Sequence, residues 1–197
     1  MQILKAENNR RILEAALREF EQYGYQQSSM RRIAATAGMT TGNIYRYYSN
    51  KEALFQELIG PVYLQFTNFF LIIQNKLDDL LISTSEHPEH YEFMDLTFKQ
   101  LVLFIEESRI EAKILLNRSE GSIYELAKNE LTDLVIRIFE SISSMDQTEL
   151  DPTRNVAIRV FAATLIEGVC IAVQTVSEPE QIRYIIQKLA YTIAKGL

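Results

Sequence analysis

The chain is poor in the residues that build tight turns, disulfide staples and metal sites. Its 197 residues include seven glycines, four prolines, one cysteine, two histidines and no tryptophan. A single cysteine excludes a disulfide within the chain and fits a reducing compartment. Cys170 lies in the apolar run "LIEGVCIAV", where a thiol acts as a small buried hydrophobe. His87 and His90 sit in the acidic stretch "SEHPEHYE" with Glu86 and Glu89, but no further ligand cluster accompanies them. That stretch reads as a solvated loop, and no metal is expected. The longest apolar stretch, Leu58 to Ile73, is broken by Gly60, Pro61, Gln65, Thr67 and Asn68, whereas a bilayer span needs roughly 20 apolar residues. The N-terminal "MQILKAENNRRILEAALREF" is charged early and has no apolar signal core. A soluble cytoplasmic protein with no membrane partner is therefore expected. There is no activated Ser or Cys motif, metal-ligand spacing or phosphate loop, so neither an enzyme nor a cofactor is expected.

What remains is helical. Hydrophobic residues make up 47% and charged residues 23% of the chain, enough apolar side chain for a real core. Residues 9–23 place Ile12, Leu13, Ala16, Leu17 and Phe20 on one helical face, and Gly24 is a stop signal. Ser28 or Ser29 can cap a second helix carrying Met30, Ile33, Ala34 and Ala37. Gly38 ends it, Thr40 or Thr41 starts a third helix through about Tyr47, and Ser49 or Asn50 caps a fourth. Gly60-Pro61 is expected to kink or interrupt that fourth helix. Further helices are expected at 91–107, 109–117, 122–144, 153–176 and 179–195. The character changes near residue 55, from short helices with small residues to long ones rich in Leu, Ile and Phe. Residues 1–55 hold eight Lys or Arg against five Asp or Glu, whereas the rest holds 12 against 21. An acidic protein, with net charge −6, thus carries a slightly basic first quarter.

The segment "TTGNIYRYYSNKEALF" (40–55) sharpens this contrast. Its first nine residues hold three tyrosines, two threonines, one arginine and no acid. A short helix, a turn at Gly38-Met39 and a second short helix form a helix-turn-helix arrangement. The alanines at 34, 35 and 37 would let the two helices approach closely. With Thr40 at zero and about 100° per residue, Ile44 and Tyr48 share one side, while Gly42, Asn43 and Arg46 face away. That outer face could lie in a major groove, where Arg46 suits guanine and Asn43 suits adenine. Thr40 and Thr41, at a helix N-terminus, suit a phosphate. Gly42 clears space for the backbone, Tyr45 and Tyr47 can offer phenols to phosphates, and a phosphate partner would explain Lys51 in the first turn of the next helix. A plain surface helix is the alternative reading of the same residues.

The stretch "SSMRRIAATAGMTTGNIYRYYSNKEALFQEL" resembles the DNA-binding domain of the TetR family of bacterial transcriptional regulators. The resemblance rests on Phe20, Gly24, Tyr25, Ser29, Ile33, Ala34, Ala37, Gly38, Met39, Thr40, Gly42, Ile44, Tyr45, Tyr47, Tyr48, Lys51, Glu52 and Leu54, and covers about residues 8–58. It implies an all-α protein of about nine helices: a three-helix DNA-binding domain (1–55, motif about 29–48) and a larger helical ligand-binding and dimerisation domain (56–197). It also implies that Ser29 caps helix 2 and touches a phosphate. Thr40, Gly42, Tyr45, Tyr47 and Lys51 would meet mainly the DNA backbone, while positions 41, 43 and 46 vary with operator sequence. Many members carry lysine where this chain has Thr41, and histidine where it has Tyr47.

In the C-terminal body, Ile182, Ile185, Ile186, Leu189 and Ile193 form one stripe. Val156, Val160, Phe161, Leu165, Val169 and Val173 form another, with Ala162, Ala163, Gly168 and Ala172 allowing close approach. Either a monomer core or a dimer interface fits. The resemblance implies a homodimer through the last two helices, bound to a palindromic double-stranded operator. It also implies a small-molecule effector, and aromatic walls would suit an apolar or aromatic one. Phe66, Phe70, Phe98 and Phe104, with the polar Asn117 and Tyr124 near a glycine break, are the candidate ligand residues; plain core packing for the aromatic side chains and a loop at the dimer edge for 115–125 are the alternative readings. The expected function is a ligand-released repressor. The alternative is a DNA-binding protein controlled by a protein partner, or acting architecturally, with no inducer.

Overall fold

The computed structural model describes residues 2–82, 89–144 and 152–194. Among them are nine helices and no strand: α1 (Gln2–Gln27), α2 (Met30–Thr36), α3 (Thr41–Ile44), α4 (Lys51–Ile82), α5 (Glu89–Glu107), α6 (Arg109–Asn117), α7 (Ala127–Ser144), α8 (Pro152–Thr175) and α9 (Pro179–Ala194). The chain groups into two compact units. One comprises Met1–Leu64 with Ile110–Ala127, the other Gln65–Arg109 with Lys128–Leu197. The division expected at 55/56 was linear. By packing, the first unit runs further along α4 and takes in α6 and the turn after it.

In the first unit, α1, α2 and α3 pack around Ile12, Ala16, Phe20, Ile33, Ala34, Ala37 and Ile44, all buried. Phe20, Tyr25 and Phe55 close this core as an aromatic cluster, with Phe55 centred 4.8 Å from each of the other two rings. Ala35 was expected in the helix contact, but it is exposed, because the buried stripe of α2 runs through Met30, Ile33, Ala34 and Ala37. Gly24 stops the first helix as expected. Its φ of 72° and ψ of 168° interrupt the helical geometry inside α1, in a region that is essentially glycine-only.

In the second unit, Phe66, Phe70, Ile73 and Leu77 of α4 are buried, as are Leu131, Val135, Ile138 and Phe139 of α7. Helices α8 and α9 pack on each other, and α5 packs on α9. Arg183 of α9 grips Glu106 of α5 with both carboxylate oxygens, at 3.0 and 2.9 Å from Nη2. Arg109 donates to the carbonyls of Val176 and Ser177, which follow the last turns of α8. The interruption expected at Gly60-Pro61 does not occur, since α4 is assigned as one helix through Pro61. Gly60 has another cause: a Cβ there would lie 2.9 Å from the Tyr124 hydroxyl. The longest weakly charged apolar segment lies in α8 and not at 58–73. Thr153–Thr175 is long and apolar enough to cross a membrane by composition, with a mean hydropathy of 2.1 over its best window. Its inner side, Ile158, Ala162, Leu165, Val169, Cys170 and Val173, is buried within the unit. A second apolar side is left facing out, through Val156, Val160 and Ile171.

Candidate nucleic-acid interface

The turn between α2 and α3 is set by two backbone hydrogen bonds. Gly38 N–H donates to Ala35 C=O at 3.1 Å, and Met39 N–H donates to Ala34 C=O at 3.0 Å. This is a Schellman closure, which needs a left-handed residue after the C-cap. Gly38, at φ 69°, supplies it. Capping follows the sequence expectation at both helices. Ser29 Oγ accepts from Arg32 N–H at 3.3 Å, and Thr40 Oγ1 accepts from Asn43 N–H at 3.2 Å. Asn50 caps α4, its Oδ1 accepting from Ala53 N–H at 2.7 Å.

Helix α3 is shorter than expected, ending at Ile44 instead of about Tyr47. The chain still coils onward, because Arg46 and Tyr47 donate to the carbonyls three residues back and Tyr48 to the carbonyl four back. The facing therefore survives: Ile44 and Tyr48 are buried, while Gly42, Tyr45 and Arg46 are exposed and Thr41, Asn43 and Tyr47 are half-buried. A Cβ on Gly42 would meet nothing within 4 Å, so the outer face there is open.

Several of these residues have structural partners that spacing alone could not reveal. Lys51 Nζ donates to the carbonyls of Tyr25, Ser28 and Gln26 at 2.6, 3.1 and 3.3 Å, and sits 4.1 Å from the centre of the Tyr25 ring. Its place thus has an internal cause, the orphan carbonyls at the end of α1, and no phosphate is needed to explain it. Burial lowers its pKa, with Glu52 working against that and Arg32 with it. Tyr25 O–H donates to Glu52 at 2.6 Å, and burial followed by Glu52 pushes the phenol's pKa well up. The buried Glu19 accepts from Ser29 N–H at 3.1 Å and Arg32 Nε at 2.7 Å, locking the entry to α2.

The segment 110–127 also belongs to this unit, which sequence reasoning missed. Arg118 C=O accepts from Tyr25 N–H at 2.8 Å, beside the break at Gly24. Lys113 pairs with Glu21 at 3.0 Å, and Ile123 N–H donates to Glu52 at 3.4 Å. Tyr124 packs its ring 5.1 Å from Tyr63 and 6.2 Å from Phe55. Of the candidate ligand residues, Tyr124 and the half-buried Asn117 therefore fall in the first unit. Phe66, Phe70 and Phe104 fall in the second, where Phe66 and Phe104 meet edge to face at 4.8 Å. The side chain of Phe98 lies outside the described residues, as do those of His87 and His90. Among the described residues no cluster of three or more His, Cys, Asp or Glu could hold a metal.

A helix, a left-handed glycine turn and a second short helix with an acid-free outer face, braced by a third helix, define a helix-turn-helix domain. Residues 12–58 match the family model described as bacterial regulatory proteins, tetR family. The match takes in the helix-turn-helix and the start of α4, about a quarter of the chain. The chain is 29% identical over 133 residues to an uncharacterized HTH-type transcriptional regulator, YhgD, of Bacillus subtilis, covering 62% of this chain and 66% of that protein. It is 30% identical over 83 residues to the HTH-type transcriptional repressor AcnR of Corynebacterium diphtheriae, covering 42% of this chain and 43% of that one. The chain spans less than two thirds of the length of either relative. In fold it is similar to SmeT, the repressor of the Stenotrophomonas maltophilia multidrug efflux pump SmeDEF. The TM-score is 0.64 at 18% identity, over 95% of this chain and 89% of that one.

Proposed function

We propose that the protein is a cytoplasmic transcriptional regulator: a homodimeric repressor that binds a palindromic operator through α3 and is released by a small apolar or aromatic ligand. The observation that carries the DNA reading is the outer face of α3 and the coil after it. Gly42, Asn43 and Arg46 lie opposite the buried Ile44 and Tyr48, and no acid interrupts them. Such a face fits the major groove, with Arg46 and Asn43 reading base edges. The hydroxyls of Thr40, Thr41, Tyr45 and Tyr47 hold the backbone, and Ser29 touches a phosphate near the start of α2. Lys51 acts mainly by holding the end of α1 in place, and adds positive potential from there.

The dimer reading is supported by α8. A helix apolar on both sides is covered on both sides. Val156, Val160 and Ile171 are 63%, 54% and 53% exposed, and Tyr184, Ile185 and Tyr191 of α9 are also exposed. Two copies joined through these helices would set two recognition helices about 34–36 Å or more apart, as a palindrome requires. Phe66, Phe70 and Phe104 of the second unit would supply apolar ligand contacts. The ligand acts as a population shift, favouring a dimer whose recognition helices no longer match the operator.

Operator selection from random duplex DNA tests the reading. The parent should enrich a palindrome, and Arg46→Ala and Asn43→Ala should each lose about 1–3 kcal/mol of affinity and relax specificity at their own base. Variants that select the same site with parental affinity would remove the base-reading roles.

A further inference from the structure

Helix α1 reaches the segment after α3 through two neighbouring side-chain contacts of opposite polarity. Asn8 Nδ2 donates to the Tyr47 hydroxyl oxygen at 3.2 Å, whereas the Tyr48 hydroxyl donates to Asn9 Oδ1 at 2.9 Å. Tyr48 is buried and its proton is used inside the protein. Tyr47 is half-buried, and its oxygen is engaged as an acceptor. A phenol has one O–H to give besides its lone pairs, and that hydrogen prefers the ring plane. With one in-plane direction taken by the Asn8 N–H, the Tyr47 hydrogen turns to the other.

Tyr47 lines a groove of about 540 Å³ with Lys5, Ala6, Asn9, Arg46, Tyr48 and Glu57. Lys5 and Arg46 are exposed cations, and Glu57 is an exposed anion in the same groove. We propose that Asn8 is a positioning residue for DNA: it fixes the Tyr47 hydroxyl as a donor to a backbone phosphate, in a groove where Lys5 and Arg46 supply the positive charge. The inference rests on the operator-binding reading, and it adds Asn8 and Lys5 to the interface. A DNA strand is the occupant because Arg46 continues the outer face of α3 and the half-buried Tyr47 stands next to it at the edge of that face. Glu57 opposes the phosphate, so the groove as built binds less tightly than its cations would allow.

The test uses the full-length protein and the duplex it enriches from a random pool. Dissociation constants are measured across a salt series for the parent, Asn8→Ala, Asn8→Asp, Tyr47→Phe, Asn8→Ala/Tyr47→Phe, Lys5→Ala and Glu57→Gln, with melting curves for each. Tyr47→Phe should weaken binding roughly tenfold and Asn8→Ala roughly three- to tenfold. The double variant should be no weaker than Tyr47→Phe alone, because both remove one contact. The two single variants should keep the parental salt slope, whereas Lys5→Ala should reduce it by about 0.9. Asn8→Asp keeps the shape but can only accept, so it should bind more weakly than the parent even if Asn8→Ala does not fold. Glu57→Gln should tighten binding. Parental affinity in Asn8→Ala and Asn8→Asp, or losses that multiply in the double variant, would overturn the proposal and leave the DNA reading standing. A parent that enriches no duplex would overturn both.

Discussion

Lys51 shows how one residue can serve stability where its position invites a purely functional reading. A cation in the first turn of a helix opposes the helix dipole, but three carbonyls from the end of α1 compensate it here. Lys51→Ala should therefore destabilise the free protein by about 1–3 kcal/mol, since it strips charge-assisted bonds from the half-buried carbonyls of Tyr25 and Ser28. Urea melts without DNA check this; a residue that only touched phosphate would leave them unchanged. Cys170 makes a second residue-scale prediction. Burial pushes its thiol up from near 9 to about 11. The folded state then holds this proton where the unfolded chain has released it, so this contribution to stability is complete below about pH 9 and fades as pH rises toward 11. The loss amounts to roughly 2–3 kcal/mol. It should appear as a steeper alkaline fall in the parent than in Cys170→Ala, measured by denaturant melts between about pH 8 and pH 11.

The element scale is governed by two glycines that do different jobs. Gly38, at φ 69°, closes α2 in a left-handed geometry that other residues reach with strain. Gly24 combines φ 72° with ψ 168°, which a side chain can hardly reach at all. Gly24→Ala should thus be the costlier change, about 2–3 kcal/mol against about 1–2 for Gly38→Ala. Thermal melts of the two variants give the ranking, and the reverse order would mean that the turn after α2 stores more strain than the break in α1. The order matters for function because the break at Gly24 is where Tyr25 meets Arg118. Short elements such as α3 hold their direction through caps and closures more than through length.

At the scale of the whole molecule, α8 presents an exposed apolar side among the described residues. Val156→Glu/Val160→Glu changes only exposed positions, so the fold should persist. Sedimentation should show a dimer for the parent and a monomer for the double variant. Operator affinity should then drop by roughly 10²–10⁴, since the second half-site no longer binds in an intramolecular step. A double variant that remains dimeric would place the interface elsewhere.

The all-α class, the helix-turn-helix at 29–48, the caps to within one residue (Ser28 or Ser29, Thr40 or Thr41) and the facing of Ile44 and Tyr48 were all legible in the sequence. Each depends on periodicity, capping or turn chemistry within a few residues, and local chemistry is written locally. Even the early end of α3 left the facing intact, because the coil continued at a similar pitch. The tertiary structure alone decided which distant groups meet. Lys51 found carbonyls about 25 residues back, Asn8 found Tyr47 39 residues ahead, and Lys113 found Glu21 across 92 residues. No spacing rule links such pairs; they follow from how amphipathic helices stack to bury their apolar stripes. For the same reason the sequence showed that α8 is apolar, and only packing separated the side covered within the chain from the side left exposed.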